Sequence, residues 1–128
     1  MMQRDVFLKE FRGETIGTIS EQSSSDELFQ NQVLRPILML QNDLFIAAFS
    51  NHLVKNRIDF SAFSVEKKLA TIENAIQKDI KFRNALKGMT IALFTTDEYA
   101  LYIQNSSSLN KRMMGMLIER LKSQVQLF

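Results

Sequence analysis

The longest helical pattern in the chain lies between residues 26 and 53. Positions three or four residues apart are mostly apolar there, and their stripe passes through the only proline, Pro36. Its members are Phe29, Val33, Ile37, Leu40, Leu44, Ala48 and Asn51. Apolar residues at this spacing predict an amphipathic α-helix. Because a proline inside a helix costs about 3 kcal/mol and kinks it, either one bent helix or two collinear pieces fits the pattern.

Between Ile37 and Phe49 the apolar side chains spread around the whole helix. A helix that is apolar on every side is typical of a buried one, enclosed by its own domain or by another subunit. We therefore predict a central buried helix over about 37–53. It is wrapped by neighbouring helices or, in a homodimer, by a second copy of the chain.

Further helices are predicted in the second half of the chain. Ser64 is the expected N-cap of a helix to about Lys87, with an apolar stripe at Val65, Leu69, Ile72, Ile76, Ile80 and Leu86. Gly88 is its expected stop. Thr95 and Glu98 have the spacing of a capping box, which predicts another helix start. A last helix is expected over about 109–126, burying Leu109, Met113, Met116, Leu117 and Leu121. Residues 89–94 fit a continued helix or an extended connector, and 96–126 fits one helix or two.

The N-terminal region has a different pattern. Residues 4–12 predict a short amphipathic helix with Val6, Phe7 and Phe11 on one side, and residues 13–25 hold two Gly and four Ser without a helical period. We interpret 1–25 as a short helix and a flexible linker, with Ser25 as the next N-cap, and 26–128 as a single helical domain. The predicted fold is all-α, a bundle of four to five helices around the central helix with a flexible N-terminal arm.

Composition agrees with a helical globular protein and narrows its chemistry. Four Gly and one Pro are too few for a turn-rich β-sandwich. The absence of cysteine excludes disulfides and thiolate chemistry. The start does not resemble a signal peptide, and no apolar run approaches the roughly 18 residues of a membrane span, so we expect a soluble cytoplasmic protein without membrane contact. The net charge of +2 is small, but basic residues concentrate in 61–90 and 109–128. These clusters fit either solvated helix faces or contacts for an anionic partner.

The stretch "TTDEYALYIQNSSSLNKRMMGMLIERLK", residues 95–122, has the outline of a helix-turn-helix reader of DNA. With Ala100 as the small residue of that motif, the turn and the apolar position fall on Gln104 and Asn105, which suit neither. A shift by one residue puts Leu101 where the small residue belongs and Ser106 where the apolar residue belongs, and neither fits. Nucleic-acid binding is therefore the less favoured alternative. Its expected contact residues are Asn110, Lys111, Arg112, Arg120 and Lys122.

A few polar residues interrupt the apolar stripes. Asp79 and Arg83 lie four apart at the edge of one stripe, and Gln41 and Asp43 interrupt the central helix. Buried polar groups need partners, so we consider an inward Asp43 facing Arg83, as a structural pair or within a ligand site formed by all four residues. His52 is the only histidine, and the glycines are isolated. We therefore predict no catalytic residue, no metal site and no cofactor.

The segments "LQNDLFIAAFSNHL", "EKKLATIENAIQKDIKFRNALKGM" and "YIQNSSSLNKRMMGMLIERL" resemble a small bacterial helical family of unknown function. Some of its members are labelled glyoxalase. Metalloenzymes of that name use paired His and Glu ligands on a βαβββ fold, whereas this chain has one His and no series of strands. The resemblance therefore transfers no catalytic residue.

Together these observations favour a small non-enzymatic helical protein that works through protein–protein contact or self-association. A nucleic-acid-binding protein using the basic C-terminal helix and a small-ligand-binding bundle remain the alternatives.

Overall fold

The computed structural model describes residues 3–13 and 24–128, and these ranges contain helices and no β-strand. The all-α prediction is thereby confirmed. The helices are α1 (Gln3–Arg12), α2 (Ser25–Phe29), α3 (Arg35–Leu40), α4 (Asn42–Lys55), α5 (Val65–Lys78), α6 (Ile80–Ile91), α7 (Thr96–Gln104) and α8 (Ser106–Ser123). Short 3-10 turns occupy Phe60–Ala62 and Val125–Leu127. Most of the predicted linker, 14–23, lies outside the described residues.

Pro36 lies inside a helical segment that continues on both sides of it. A π-helical segment, Gln30–Leu34, joins α2 to α3, and Pro36 is among the first residues of α3. The Arg35 N–H donates to the Gln30 carbonyl, one residue further back than in an α-helix. Proline has no N–H to donate, and it stands here where the π-helical hydrogen-bond pattern gives way to the α-helical one. Ser25–Leu40 is consequently one helical segment, with Ser24 rather than Ser25 as its N-cap.

The bend falls instead at Gln41, where Ser25–Leu40 and Asn42–Lys55 meet at 62°. The Gln41 side chain donates from Nε2 to the Met89 carbonyl at 2.9 Å, which ties the bend to α6. The buried side of the two helices carries Leu38, Phe45 and Phe49, whereas Leu44, on the predicted stripe, is 45% exposed. The prediction of one buried helix over 37–53 is therefore wrong, since α4 has one buried face and one exposed face.

A second break, at Asp79, divides the predicted 64–87 helix into α5 and α6. Asp79 is extended, and its Oδ1 accepts the Phe82 N–H at 3.1 Å, so it is the N-cap of α6. Ile80, predicted on the buried stripe, is 61% exposed because the chain changes direction just before it. Gly88 lies inside α6 and does not end it.

The C-terminal half contains two helices, α7 and α8. The capping box is confirmed, since the Thr95 and Glu98 side chains each accept the other's backbone N–H. Asn105 alone separates α7 from α8 and is not left-handed (φ −145°). The longer α8 packs on α5, α6, α7 and the π-helical segment. It buries Leu109, Met113, Leu117, Ile118 and Leu121.

Polar bonds hold α1, which the sequence suggested was part of a loose arm, against the turn between α6 and α7. Arg4 and Arg12 donate to the carbonyls of Ala92, Leu93 and Phe94 at 2.8–3.0 Å. These carbonyls follow the end of α6, where backbone acceptors lack helical partners. Asp5 accepts the N–H and the hydroxyl of Thr96 at the start of α7. Thus α1 supplies hydrogen-bond partners for backbone groups after the end of α6 and at the start of α7.

The apolar core lies between α4, α5, α6, α8 and the Ser25–Leu40 segment. Its fully buried side chains include Leu34, Ile37, Leu38, Phe45, Phe49, Ile72, Ile76, Leu86, Met113, Leu117 and Leu121. No single helix in the described ranges has both the length and the apolarity to cross a bilayer; the bent pair Ser25–Leu40 and Asn42–Lys55 meets those two criteria only when taken together.

Candidate functional site

An open groove of about 670 Å³ runs between α4 and α6, and we name it the α4–α6 groove. Its apolar lining consists of Leu44, Ala47, Ala48, Phe82, Ala85 and Met89. Lys55 and Lys81 are exposed at its rim. At about 1.5 Å per residue, the distance along α4 from Leu44 to Lys55 is about 16 Å, or three helical turns. The groove therefore matches a short helix in length.

The solvent side of α4 presents a mostly apolar stripe that shares Leu44, Ala47 and Asn51 with this groove. We name Leu44, Ala47, Asn51 and Val54 the α4 outer face; all four are exposed, Val54 by 76%. Their spacing of three, four and three residues is that of the contact positions in a coiled coil. The opposite side of α4 buries Phe45, Phe49 and Leu53 in the core. The α4 outer face is therefore a surface on which a second helix can pack.

Opposite charges flank the α4 outer face. Asp43 lies at its N-terminal end and Lys55 at its C-terminal end, and both are exposed. Within residues 3–13 and 24–128, neither forms an ion pair. Both charges are available to a molecule that packs on α4.

His52 lies where α4 faces α6. Its Nδ1 is 3.9 Å from Asp79 Oδ2, and its ring stacks on Phe82 with centroids 4.3 Å apart. Burial lowers the pKa of His52, against the opposing effect of the Asp79 charge, so the imidazole is neutral at neutral pH. The Asn56 Nδ2 also lies 3.3 Å from His52 Nδ1, so aromatic rings, one carboxylate and one amide surround His52 and fit a packed side chain.

The predicted polar cluster does not assemble. Gln41 binds a carbonyl of α6, Asp79 caps α6, and Arg83 donates from NH1 to a carbonyl of α5 at 3.1 Å. Asp43 is exposed, and the Asp43–Arg83 pair is not formed. Of the four residues, only Asp79 lines the α4–α6 groove.

The predicted nucleic-acid contacts separate into two groups. Lys122 pairs with Glu73 (Nζ–Oε2 3.7 Å), and Asn110 accepts the Tyr102 hydroxyl at 2.6 Å. The remaining three, Lys111, Arg112 and Arg120, line a second groove, between α3 and α8. Arg35 lies in the same groove and was missed, because nothing in the sequence relates α3 to α8.

A third cavity, of about 610 Å³, lies between α1, α2 and α7 and contains an ion pair that the sequence did not reveal. Arg12 NH1 and NH2 lie 2.5 and 2.7 Å from the two carboxylate oxygens of Glu98. Burial acts to raise the pKa of Glu98, but hydrogen bonds from Arg12 and from the Thr95 backbone outweigh it and lower that pKa. The partners are 86 residues apart in sequence, so no local motif could have linked them.

In the described part of the chain, no three His, Asp or Glu side chains form a group that could hold a metal ion. No family model, curated protein or solved structure matches this chain. The resemblance to the helical family with glyoxalase-labelled members stays a prediction.

Proposed function

We propose that this protein is a non-enzymatic helical module that associates with a second copy of itself through the α4 outer face. The observation that supports this proposal most is the stripe of Leu44, Ala47, Asn51 and Val54, exposed at coiled-coil spacing on a helix whose other side is core. Exposed apolar surface organised in this way is typical of an interaction site.

The α4 outer face is complementary to itself when two copies of α4 run antiparallel. Let the twofold axis cross the α4 outer face at the level of Phe49 along the helix. Leu44 of one copy then meets Val54 of the other, and Asp43 meets Lys55. A twofold axis produces each of these contacts twice. Ala47 then faces Asn51, and the small alanine side chain allows the helices to approach closely. Asn51 at a contact position favours one register over others.

The α4–α6 groove enlarges this surface. A helix of 14 residues is about 21 Å long and about 10 Å wide, so α4 alone offers far less than the roughly 800 Å² per partner of a stable interface. The groove adds Phe82, Ala85 and Met89 of α6. Burial of an aliphatic side chain such as Leu44 or Val54 contributes about 1.5–3 kcal/mol when it is complete.

The test is the molar mass of the chain in solution, measured by sedimentation velocity over a concentration series. The wild-type chain should shift from monomer to dimer, and Leu44→Glu should remain monomeric. Val65→Glu is the matched control, because Val65 is also an exposed aliphatic residue in the first turn of a helix. Glutamate is favourable in a first turn, so neither variant should lose its fold.

A charge exchange tests the antiparallel register. Asp43→Lys should weaken the dimer by placing like charges together, and Asp43→Lys combined with Lys55→Asp should restore it. Wild-type chain that stays monomeric throughout the series would contradict self-association. A double variant no tighter than Asp43→Lys would contradict the antiparallel arrangement.

A further inference from the structure

The groove between α3 and α8, which we name the α3–α8 groove, has a strongly basic lining. Its volume is about 690 Å³. Glu119 is the one acid among its lining residues. Four cationic side chains line it as well: Arg35, Lys111, Arg112 and Arg120. A concave surface lined by one sign of charge concentrates counter-ions of the opposite sign.

Two of these cations, Arg35 of α3 and Arg120 of α8, are brought near each other by the fold. Within residues 3–13 and 24–128, Arg35 and Arg120 form no ion pair. Burial, and then the nearby positive charge of Arg35, lower the pKa of Arg120. Like charges held near each other repel, and an anion bound between them would remove that repulsion.

Neutral amide side chains hold the guanidinium groups in place. Arg120 NH1 donates to Asn42 Oδ1 at 3.3 Å, and Arg35 Nε donates to Asn31 Oδ1 at 2.8 Å. An amide oxygen fixes the direction of a guanidinium but leaves its charge uncompensated. Arg112 NH1 also donates to an amide, Gln30 Oε1 at 2.8 Å, but its charge is partly compensated by Asp26, 4.0 Å from its Nε. The site is therefore ordered yet retains net positive charge.

Gly115 gives the groove its open floor. It lies within α8 and is exposed, and a Cβ placed on it would meet no atom within 4 Å. No side chain covers the α8 backbone here, so a ligand can approach between Lys111 and Arg120.

We propose that the α3–α8 groove binds the phosphate group of a small molecule, either free phosphate or a phosphomonoester. Guanidinium groups match the geometry of phosphate oxygens, and an ammonium adds charge. The groove favours a compact ligand over nucleic acid, because Asn110 and Lys122 engage other side chains and do not extend the basic surface along α8.

Isothermal titration calorimetry of the full chain tests this inference at constant ionic strength. The titrants are inorganic phosphate, phenyl phosphate and a DNA duplex. Both phosphates should bind, and Arg35→Gln combined with Lys111→Gln should weaken them roughly tenfold or more. Tighter binding of phenyl phosphate would identify an organic phosphate as the ligand, and equal binding would identify free phosphate.

Two further variants separate local contact from overall charge and from folding. Lys67→Gln combined with Lys78→Gln removes the same charge from the exposed side of α5 and should leave affinity unchanged. Gly115→Leu should abolish binding with every charge in place, because its side chain would fill the groove. Leucine favours a helix more than glycine does, so the fold should be kept. The proposal is overturned if neither phosphate binds, if the Lys67 and Lys78 variant weakens binding equally, or if Gly115→Leu binds as wild type. Duplex binding that is tighter than phosphate binding and lost in Lys122→Gln would also overturn it.

Discussion

Replacing Glu98 by glutamine should loosen the packing of α1 through a charge left without a partner. The Arg12 and Glu98 side chains are only 5% and 11% exposed, and they meet through two hydrogen bonds. Glutamine preserves the shape and can still accept the Thr95 N–H, so the capping box survives. The Arg12 guanidinium, however, stays buried without an opposite charge. Breaking a buried pair in this way costs about 3–5 kcal/mol. We expect about 3 kcal/mol, because Arg12 keeps its bond to the Leu93 carbonyl.

A second variant separates the charge from the contact. Arg12→Met together with Glu98→Gln removes both charges and retains the cap, so it should recover most of the stability lost in Glu98→Gln. Buried ion pairs replaced by neutral side chains of similar volume are often close to neutral in stability. The assay is urea denaturation followed by far-ultraviolet circular dichroism, with hydrogen exchange of the α1 amides to detect local release. A double variant as unstable as Glu98→Gln would refute the reasoning.

Three other predictions follow from individual residues. Gly88→Ala should stabilise the fold by about 0.5–1 kcal/mol, because Gly88 is helical with open space around it. Gly13→Ala should destabilise the fold, because the φ angle of Gly13 is +81°. Thermal unfolding of the two variants measures both effects. Ile76→Ala should cost about 2–5 kcal/mol, and Ile80→Ala should cost far less because that side chain is exposed, as urea denaturation will measure. The His52 pKa, measured by proton NMR, should lie below its ordinary value because of burial, so stability should fall as pH drops from that ordinary value to the lowered one.

The sequence predicts helix content well but not the positions of the breaks. The sequence pattern places Asp79 at the edge of a continuous stripe, although aspartate is also a common N-cap, and the pattern around Ile76 and Ile80 agrees with either interpretation. Gln41 gives still less warning, because glutamine is a good helix former. Where a segment is apolar on all sides, as around Leu44, periodicity cannot determine which face turns inward after a break.

The candidate sites depend on contacts between distant parts of the chain. Residue types alone suggested Lys111, Arg112 and Arg120, but the α3–α8 groove exists only because Arg35 is folded against them. The proposed polar cluster failed for the converse reason. Its members form two pairs, each close in sequence, but Gln41, Asp79 and Arg83 are each bonded to a backbone group and Asp43 is exposed.

The contacts of α1 have a consequence for synthesis on the ribosome. Helix α1 is translated before its partners at the start of α7, which are 86 to 91 residues further along the chain. At about 5–20 residues per second, the delay before they appear is on the order of ten seconds. Throughout that delay Arg4, Asp5 and Arg12 have none of these partners. Docking of α1 should therefore be among the last steps as the newly made chain folds.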